Sequence, residues 1–256
     1  MSQPPVEGRG FLGRTALVTG GGSGIGRGAA LGLAERGGTV MVMGRRAEAG
    51  KQTAGLHANI HSEVGDVSDP ADVDRVVRRT VDAFGGLDVL VNNAGFVVPT
   101  PLAELDPDAA RRLWATNVLG PTLLARAALP QLTRNRGVIV NISSSFARKP
   151  APGMSHYGAS KAALEQLTRS WALELAGSGV RVNAIAPGPT ESEALERSGL
   201  PPAQVEQIKA RERAQIPLGR RGEPAEVAGW IVALADPSAT WITGAVIDVD
   251  GGFSLR

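Results

Sequence analysis

Thr15-Ala16-Leu17-Val18-Thr19-Gly20-Gly21-Gly22-Ser23-Gly24-Ile25-Gly26 is the stretch whose reading decides the fold. A short apolar run of buried-strand character passes directly into glycines, and beyond them Ala29, Ala30, Leu33 and Ala34 recur at helical spacing up to Gly37-Gly38. Glycines between a strand and a helix have a physical use. They make a tight turn, let the backbone approach a pyrophosphate, and put that charge at a helix N-terminus, where amide donors and the helix dipole favour it. A merely flexible turn accounts for the glycines but not for their position between those two elements.

Working outward, the alternation continues to the end of the chain. Further apolar runs at 39–43, 59–64, 87–91, 137–142, 179–186 and 245–249 are separated by helical patterns. Asp69 is placed to cap a helix over 70–84, and Asp106 with Pro107 opens one long helix over 106–134 that Pro121 should bend. A polar stretch at about 191–215 reads as a lid, and a further helix starts at Glu223-Pro224. Seven strands alternating with helices predict an α/β fold, a Rossmann-type doubly wound seven-stranded parallel sheet. It forms a single domain over 14–256, after a flexible segment at 1–13 whose Phe11 and Leu12 tuck under the first strand.

Bulk properties narrow the function. With 256 residues, 43% hydrophobic and 20% charged, the chain has the make-up of a soluble globular domain. A formal charge of +2, with basic residues scattered rather than in runs, does not point to nucleic acid. The absence of cysteine excludes disulfides and thiolate metal sites and agrees with a reducing compartment. No apolar run reaches the length of a membrane span, so the expected location is cytoplasmic.

Tyr157-Gly158-Ala159-Ser160-Lys161 carries the chemistry. Residues four apart share a helix face, so the phenol and the ammonium point into one cleft, and a neighbouring cation lowers a tyrosine pKa towards the range of a general acid/base. Taken alone, such a pair is more often a boundary aromatic and a solvated charge. His156 points about 100° away around the helix and reads as rim or surface.

The spacing Thr19-Gly20-x-x-x-Gly24-x-Gly26 differs from the ordinary Gly-x-Gly-x-x-Gly fingerprint and resembles the short-chain dehydrogenase/reductase superfamily, in its single-domain branch of about 250 residues. Asn92-Asn93-Ala94-Gly95 matches that superfamily's block without change, and the likeness extends over 14–252, with a similarity to 3-oxoacyl-(acyl-carrier-protein) reductases. It implies a catalytic set of Asn117, Ser144, Tyr157 and Lys161. Ser144 is the serine thirteen positions before the tyrosine, and Asn117 anchors a water connected to Lys161. The cofactor is expected on Gly20, Gly22, Ser23, Gly24, Ile25 and Gly26, then on Arg45 and Arg46, Asp66 and Val67, Asn93, Ala94 and Gly95. Tyr157 and Lys161, Pro187, Gly188, Thr190 and Ser192 complete that set. Arg27 reads as an ordinary helix-face residue.

Gly44 stands where an NAD-selective site carries a carboxylate, and Arg45 follows it, so NADP(H) is favoured over NAD(H). The resemblance implies hydride transfer between the nicotinamide and a carbonyl or secondary alcohol. Tyr157 is the acid, Ser144 the donor to the developing alkoxide, and Lys161 the group that binds the ribose and depresses the tyrosine pKa. Phe96, Val97, Val98, Ser144, Ser145, Phe146, Met154 and Tyr157, with Ala194 and Leu195, suggest a largely apolar substrate pocket for a small-molecule ketone or alcohol. Arg134 and Arg136 leave carrier-protein docking possible without indicating it. An NAD-dependent alcohol, sugar or dihydrodiol dehydrogenase stays open, as does a non-catalytic NADP-binding redox sensor. By the same resemblance the chain is expected to form a homotetramer through 106–134, 155–176 and the last helix and strand, with Trp230, Trp241 and Val246 in the latter contact. No metal is expected.

Overall fold

A computed structural model describes residues 10–191 and 201–256. Its sheet is formed by β1 (Thr15–Thr19), β2 (Thr39–Gly44), β3 (Ile60–Val64), β4 (Val89–Asn92), β5 (Val138–Ile142), β6 (Arg181–Pro187) and β7 (Val246–Val249). The strands lie in the order β3-β2-β1-β4-β5-β6-β7, and every pairing is parallel. The order reverses between β1 and β4, where the connections leave in opposite directions and open a crevice at the carboxyl ends. The doubly wound parallel sheet expected from the alternation of runs is therefore the fold.

Helices cover both faces, which is why β1, β4 and β5 are mostly apolar and are buried along their whole length. The two-residue period divides β1 cleanly. Ala16 and Val18 face α1 (Gly24–Ala34) and the last helix, which is α8 (Pro224–Ala235), whereas Leu17 faces α3 (Pro70–Phe84) and α5 (Gly120–Asn135). Two glycines bring α1 and α8 together. A methyl on Gly28 would lie 3.1 Å from the Ala228 side chain, and one on Gly32 would lie 3.0 Å from Val232.

The remaining α-helices among the described residues are α2 (Ala47–Ala54), α4 (Pro107–Trp114), α6 (Ser155–Leu175) and α7 (Pro202–Gln215). Asp69 and Asp106 cap α3 and α4 as expected, accepting from the amides of Ala71 and Asp108.

Two expectations need correction. The long helix anticipated over 106–134 runs without a break through α4 and α5 but is wound as a π-helical turn at Ala115–Leu119, just before Pro121, whose missing N–H cannot complete the ordinary ladder there. Of the pair expected under the first strand, Phe11 is buried and its amide donates to the carbonyl of Arg36, but Leu12 is 67% exposed. None of the helices among the described residues is long and apolar enough to cross a membrane.

Candidate active site

The crevice is built first from backbone. Thr19, the last residue of β1, donates its hydroxyl to the carbonyl of Val91 at 3.2 Å and accepts from the amides of Asn93 and Ala94, both at 3.0 Å. The Asn93 side-chain amide returns to the carbonyl of Thr19 at 2.9 Å. These bonds lock the end of β4 to the end of β1, so Asn92 to Gly95 leaves the sheet in one direction. Gly20 has φ +65, a backbone conformation that strongly favours glycine, and a methyl on Gly26 would sit 2.5 Å from both the Gly20 carbonyl and the Asn93 amide nitrogen.

Ser23 occupies the N-cap position of α1 but makes no side-chain cap bond; its Oγ instead accepts from Arg46 at 3.3 Å. The first-turn amides of α1 are thus left for an anion. Arg27, read from the sequence as a helix-face residue, holds this turn in place. It donates to the carbonyl of Gly22 at 2.7 Å and to Thr53 of α2 at 3.2 Å.

The cavity so formed has a volume of about 380 Å³. Gly20, Gly22, Ser23, Ile25, Arg45, Arg46, Asp66, Val67, Asn93, Ala94, Gly95, Phe96 and Thr190 all line it, and so do Gly44, read from the sequence as the selectivity position, and Thr116, which the sequence reading did not name. Gly24 and Gly26 shape the turn without forming its wall. Pro187 and Gly188 lie at the end of β6, where a methyl on Gly188 would come within 2.7 Å of Asp250, so the backbones cross at contact. Ser192, Ala194 and Leu195 lie outside the described residues, as does part of the segment read as a lid.

At the far end of the cavity, Arg45 is exposed and its Nη1 stands 3.9 Å from Asp66. Asp66 also accepts from the amide and hydroxyl of Ser68. Beside Gly44 an added methyl would meet nothing within 4 Å. A dinucleotide fits what is present: a glycine cradle that a Cβ would fill, an uncapped helix start, and two arginines beside Ser23.

The reacting groups come from β5 and α6. Ser144 follows β5 and is buried, its Oγ accepting from the amide of Phe146 at 3.3 Å. Tyr157, in the first turn of α6, is half-buried, and the Phe146 ring stands edge-on to it at 6.3 Å. Burial pushes the phenol above its ordinary value, and a hydrogen bond with Ser144 opposes that shift. Burial, rather than the Lys161 charge expected to lower it, is thus the larger cause acting on the tyrosine pKa. Lys161 is itself buried, and burial pulls its ammonium down to about 8. Its Nζ donates to the carbonyl of Ile142 at 2.8 Å and lies 5.9 Å from the centre of the Tyr157 ring, so both side chains turn to the same side of α6.

Asn117 sits in the π-helical turn, fully buried. It exchanges hydrogen bonds with the Phe96 backbone in both directions at 3.1 Å and donates to Ser160 at 3.1 Å. Gly95 is packed against both groups, since a methyl there would lie 3.0 Å from Asn117 Oδ1 and 3.2 Å from Lys161 Nζ. Ser145 is buried with its hydroxyl unpartnered, and Met154 immediately precedes α6. His156 accepts from the indole of Trp114 at 3.2 Å on the exposed side, consistent with its reading as a rim residue. The sequence reading also missed a backing for the serines: Ser143 donates to the buried Glu165 at 3.0 Å, and Arg148 joins Glu165 to Asp248 of β7.

Comparison with known proteins agrees with this geometry. The family described as enoyl-(acyl carrier protein) reductase matches residues 20–254. A cis-4-hydroxycyclohexanecarboxylate dehydrogenase from Sinomonas cyclohexanicum is 40% identical, with 96% of this chain and 99% of that protein covered. A 3-oxoacyl-(acyl-carrier-protein) reductase from Thermotoga maritima is 38% identical, with 95% and 98% covered. Among solved structures, a short-chain dehydrogenase/reductase of unknown function from Caenorhabditis elegans, determined with cofactor, superposes with a TM-score of 0.91 at 32% identity, covering 96% of this chain and 97% of that one.

Two outcomes follow from the geometry. Gly26→Ala forces the turn apart, and a displacement costing about 1–3 kcal/mol lowers nucleotide affinity about 10- to 100-fold; equilibrium titration checks this, and unchanged affinity would show that the turn does not hold the ligand. The second concerns Lys161. Because its folded pKa, about 8, lies below its ordinary value of 10.5, the unfolded chain binds the proton more tightly between those values. Stability from this group therefore rises with pH across that window and is lost as pH falls back towards 8. Wild type should gain in thermal midpoint over Lys161→Met from pH 8 to 10, and parallel curves would contradict the burial argument.

Proposed function

Because this chain belongs to the short-chain dehydrogenase/reductase superfamily and is an NAD(P)-dependent oxidoreductase, we propose that it works with NADP(H) on a small-molecule ketone or secondary alcohol. The observation that carries this reading is the grouping of Ser144, Tyr157 and Lys161 beside a glycine cradle with arginines at its far end. When bound, the nicotinamide supplies or takes up the hydride. The glycine turn and the start of α1 hold the pyrophosphate, and Arg45, Arg46 and Ser23 receive a 2′-phosphate. Asp66 and Val67 line the adenine, while Asn93, Ala94, Gly95, Pro187, Gly188 and Thr190 bed the rest.

In the reductive direction Tyr157 gives its proton to the substrate oxygen as negative charge develops there. Its pKa, raised by burial, keeps it protonated until that moment. Ser144 donates to the same oxygen, and Lys161 stabilises the phenolate that Tyr157 becomes. Asn117, tied to Ser160 and the Phe96 backbone, carries the water that returns a proton through Lys161. Phe96, Phe146 and Met154 give the substrate an apolar surface, with Ser145 behind them. In that role a small ketone fits better than a charged substrate. A homotetramer is part of this reading, supported by the exposed Trp230 and Trp241 and by Leu173 on α6, and a cytoplasmic location by the absence of cysteine.

A second reading, an NAD-linked dehydrogenase, has its own observation. Arg45 already faces the carboxylate of Asp66, which competes with a phosphate for it. The relatives include a glucose 1-dehydrogenase from Gluconobacter oxydans, 38% identical with 96% of this chain and 93% of that protein covered.

A panel of ketones and alcohols assayed with both nicotinamides tests the whole proposal; turnover with neither would overturn it. Tyr157→Phe should reduce kcat by about 10²–10⁴-fold while NADPH affinity stays close to wild type, and retained turnover would remove Tyr157 from the acid's role. Arg45→Ala should weaken NADPH by about 10- to 100-fold, the worth of a charge-assisted hydrogen bond, and leave NADH alone. Equal losses for both nucleotides would show that Arg45 does not read the 2′-phosphate.

A further inference from the structure

Beyond β6 lies a buried cation that the mechanism above does not use. The Arg221 side chain is only 4% exposed. Its Nη2 donates to the carbonyl of Thr190 at 2.6 Å, its Nε lies 3.1 Å from Glu191, and its Nη1 contacts Glu212 of α7. Glu191 in turn reaches Lys209 of α7 at 3.0 Å. Nε and Nη1 are enclosed and face these two carboxylates, so a buried cation is held between two anions.

Three segments meet at this point. The Pro189–Glu191 backbone pairs with Gly222: Glu191 N–H donates to the Gly222 carbonyl at 2.8 Å, and Gly222 N–H donates to the Pro189 carbonyl at 3.0 Å. Thr190 lines the cleft together with Gly22 and Ser23. The third segment is α7, where Val205 is the buried residue within the helix and Ile216 is buried just past its end, so its apolar anchoring is short. Enclosing a guanidinium is unfavourable, and burial does push Arg221 below its ordinary value, with Glu191 opposing. Such a group persists where it joins elements that apolar packing leaves loose.

We propose that Arg221 is a positioning residue that docks α7 and fixes the Thr190 backbone at the wall of the nucleotide cleft. It touches neither substrate nor the proton-transfer groups and acts through Thr190, Glu191 and Glu212. This rests on the reading of the cleft as a nicotinamide-nucleotide site.

The test compares wild type with Arg221→Met, Arg221→Lys and Glu212→Gln. It uses NADPH titration by fluorescence, steady-state kinetics on a ketone that wild type reduces, and amide hydrogen exchange. Arg221→Met should raise Kd and KM for NADPH about tenfold or more, as a misplaced binding wall does, with kcat within about threefold. Amides of α7 should exchange faster while those of α6 do not change, and Arg221→Lys should recover part of the affinity. NADPH affinity within about twofold of wild type, or unchanged exchange in α7, overturns the proposal. If Arg221→Met does not fold, Glu212→Gln carries the test: faster α7 exchange and weaker NADPH binding support it, and wild-type values for both overturn it. Failure of wild type to bind either nicotinamide removes the nucleotide reading and this proposal together, whereas tight wild-type binding that Arg221→Met leaves intact removes only the role of Arg221.

Discussion

A methyl group has no place between Gly26 and the Gly20 carbonyl, and the rest of the site depends on that contact. It brings the start of α1 against the end of β1, where the Asn93 amide already closes on Thr19. The crevice at the switch between β1 and β4 is therefore defined by backbone and by two short polar side chains. Such a cradle is set before any ligand arrives, which spares the binding step the cost of ordering it. Arg27 extends the same logic to the outer turn by tying Gly22 to α2.

What was legible in the chain follows from this. Demands on backbone are written in residue type: the glycine turn from 20 to 26 and the Asn-Asn-Ala-Gly block stand out in the sequence because few other residues satisfy those conformations and close approaches, and Gly20, Asn93, Ala94 and Gly95 line one crevice in the structure. The sheet was equally legible, since strands buried on both faces give continuous apolar runs. Side chains acting across the fold were harder to see. Arg27 sits on a helix face like any solvated arginine, and nothing local says that Thr53 is within reach. Arg221 follows another arginine in a polar loop, and its partners at 190, 191 and 212 belong to different segments. Pro121 announced a disturbance in the long helix, but the form it takes, a π-helical turn before the proline, is set by Asn117 binding the Phe96 backbone some twenty residues earlier in the chain.

The electrostatics of Tyr157 and Lys161 were read from adjacency alone, and burial changes the outcome. Adjacency favours the charged form of both partners. Enclosure disfavours it for both, and here enclosure is the larger cause for each: the phenol rises and the ammonium falls to about 8. The resting pair is thus a neutral tyrosine beside a lysine whose proton is held less tightly than in water. That state suits a proton donor. A phenolate stabilised in the resting enzyme would have no proton to give, whereas one stabilised only as the substrate oxygen becomes basic contributes to the transition state alone.

On the proposed mechanism Lys161 is placed for that difference. One of its three N–H groups goes to the Ile142 carbonyl, which fixes the side chain and leaves two donors for other partners. Gly95 and Asn117 lie against its nitrogen, and the absence of a Cβ at Gly95 keeps that approach open. On the proposed mechanism, the enclosure that lowers the lysine pKa to about 8 also strengthens its attraction to a phenolate, because a buried pair is screened less. Burial and adjacency therefore act at different moments. The first sets which proton is present before reaction, and the second lowers the energy of the charge that its departure creates.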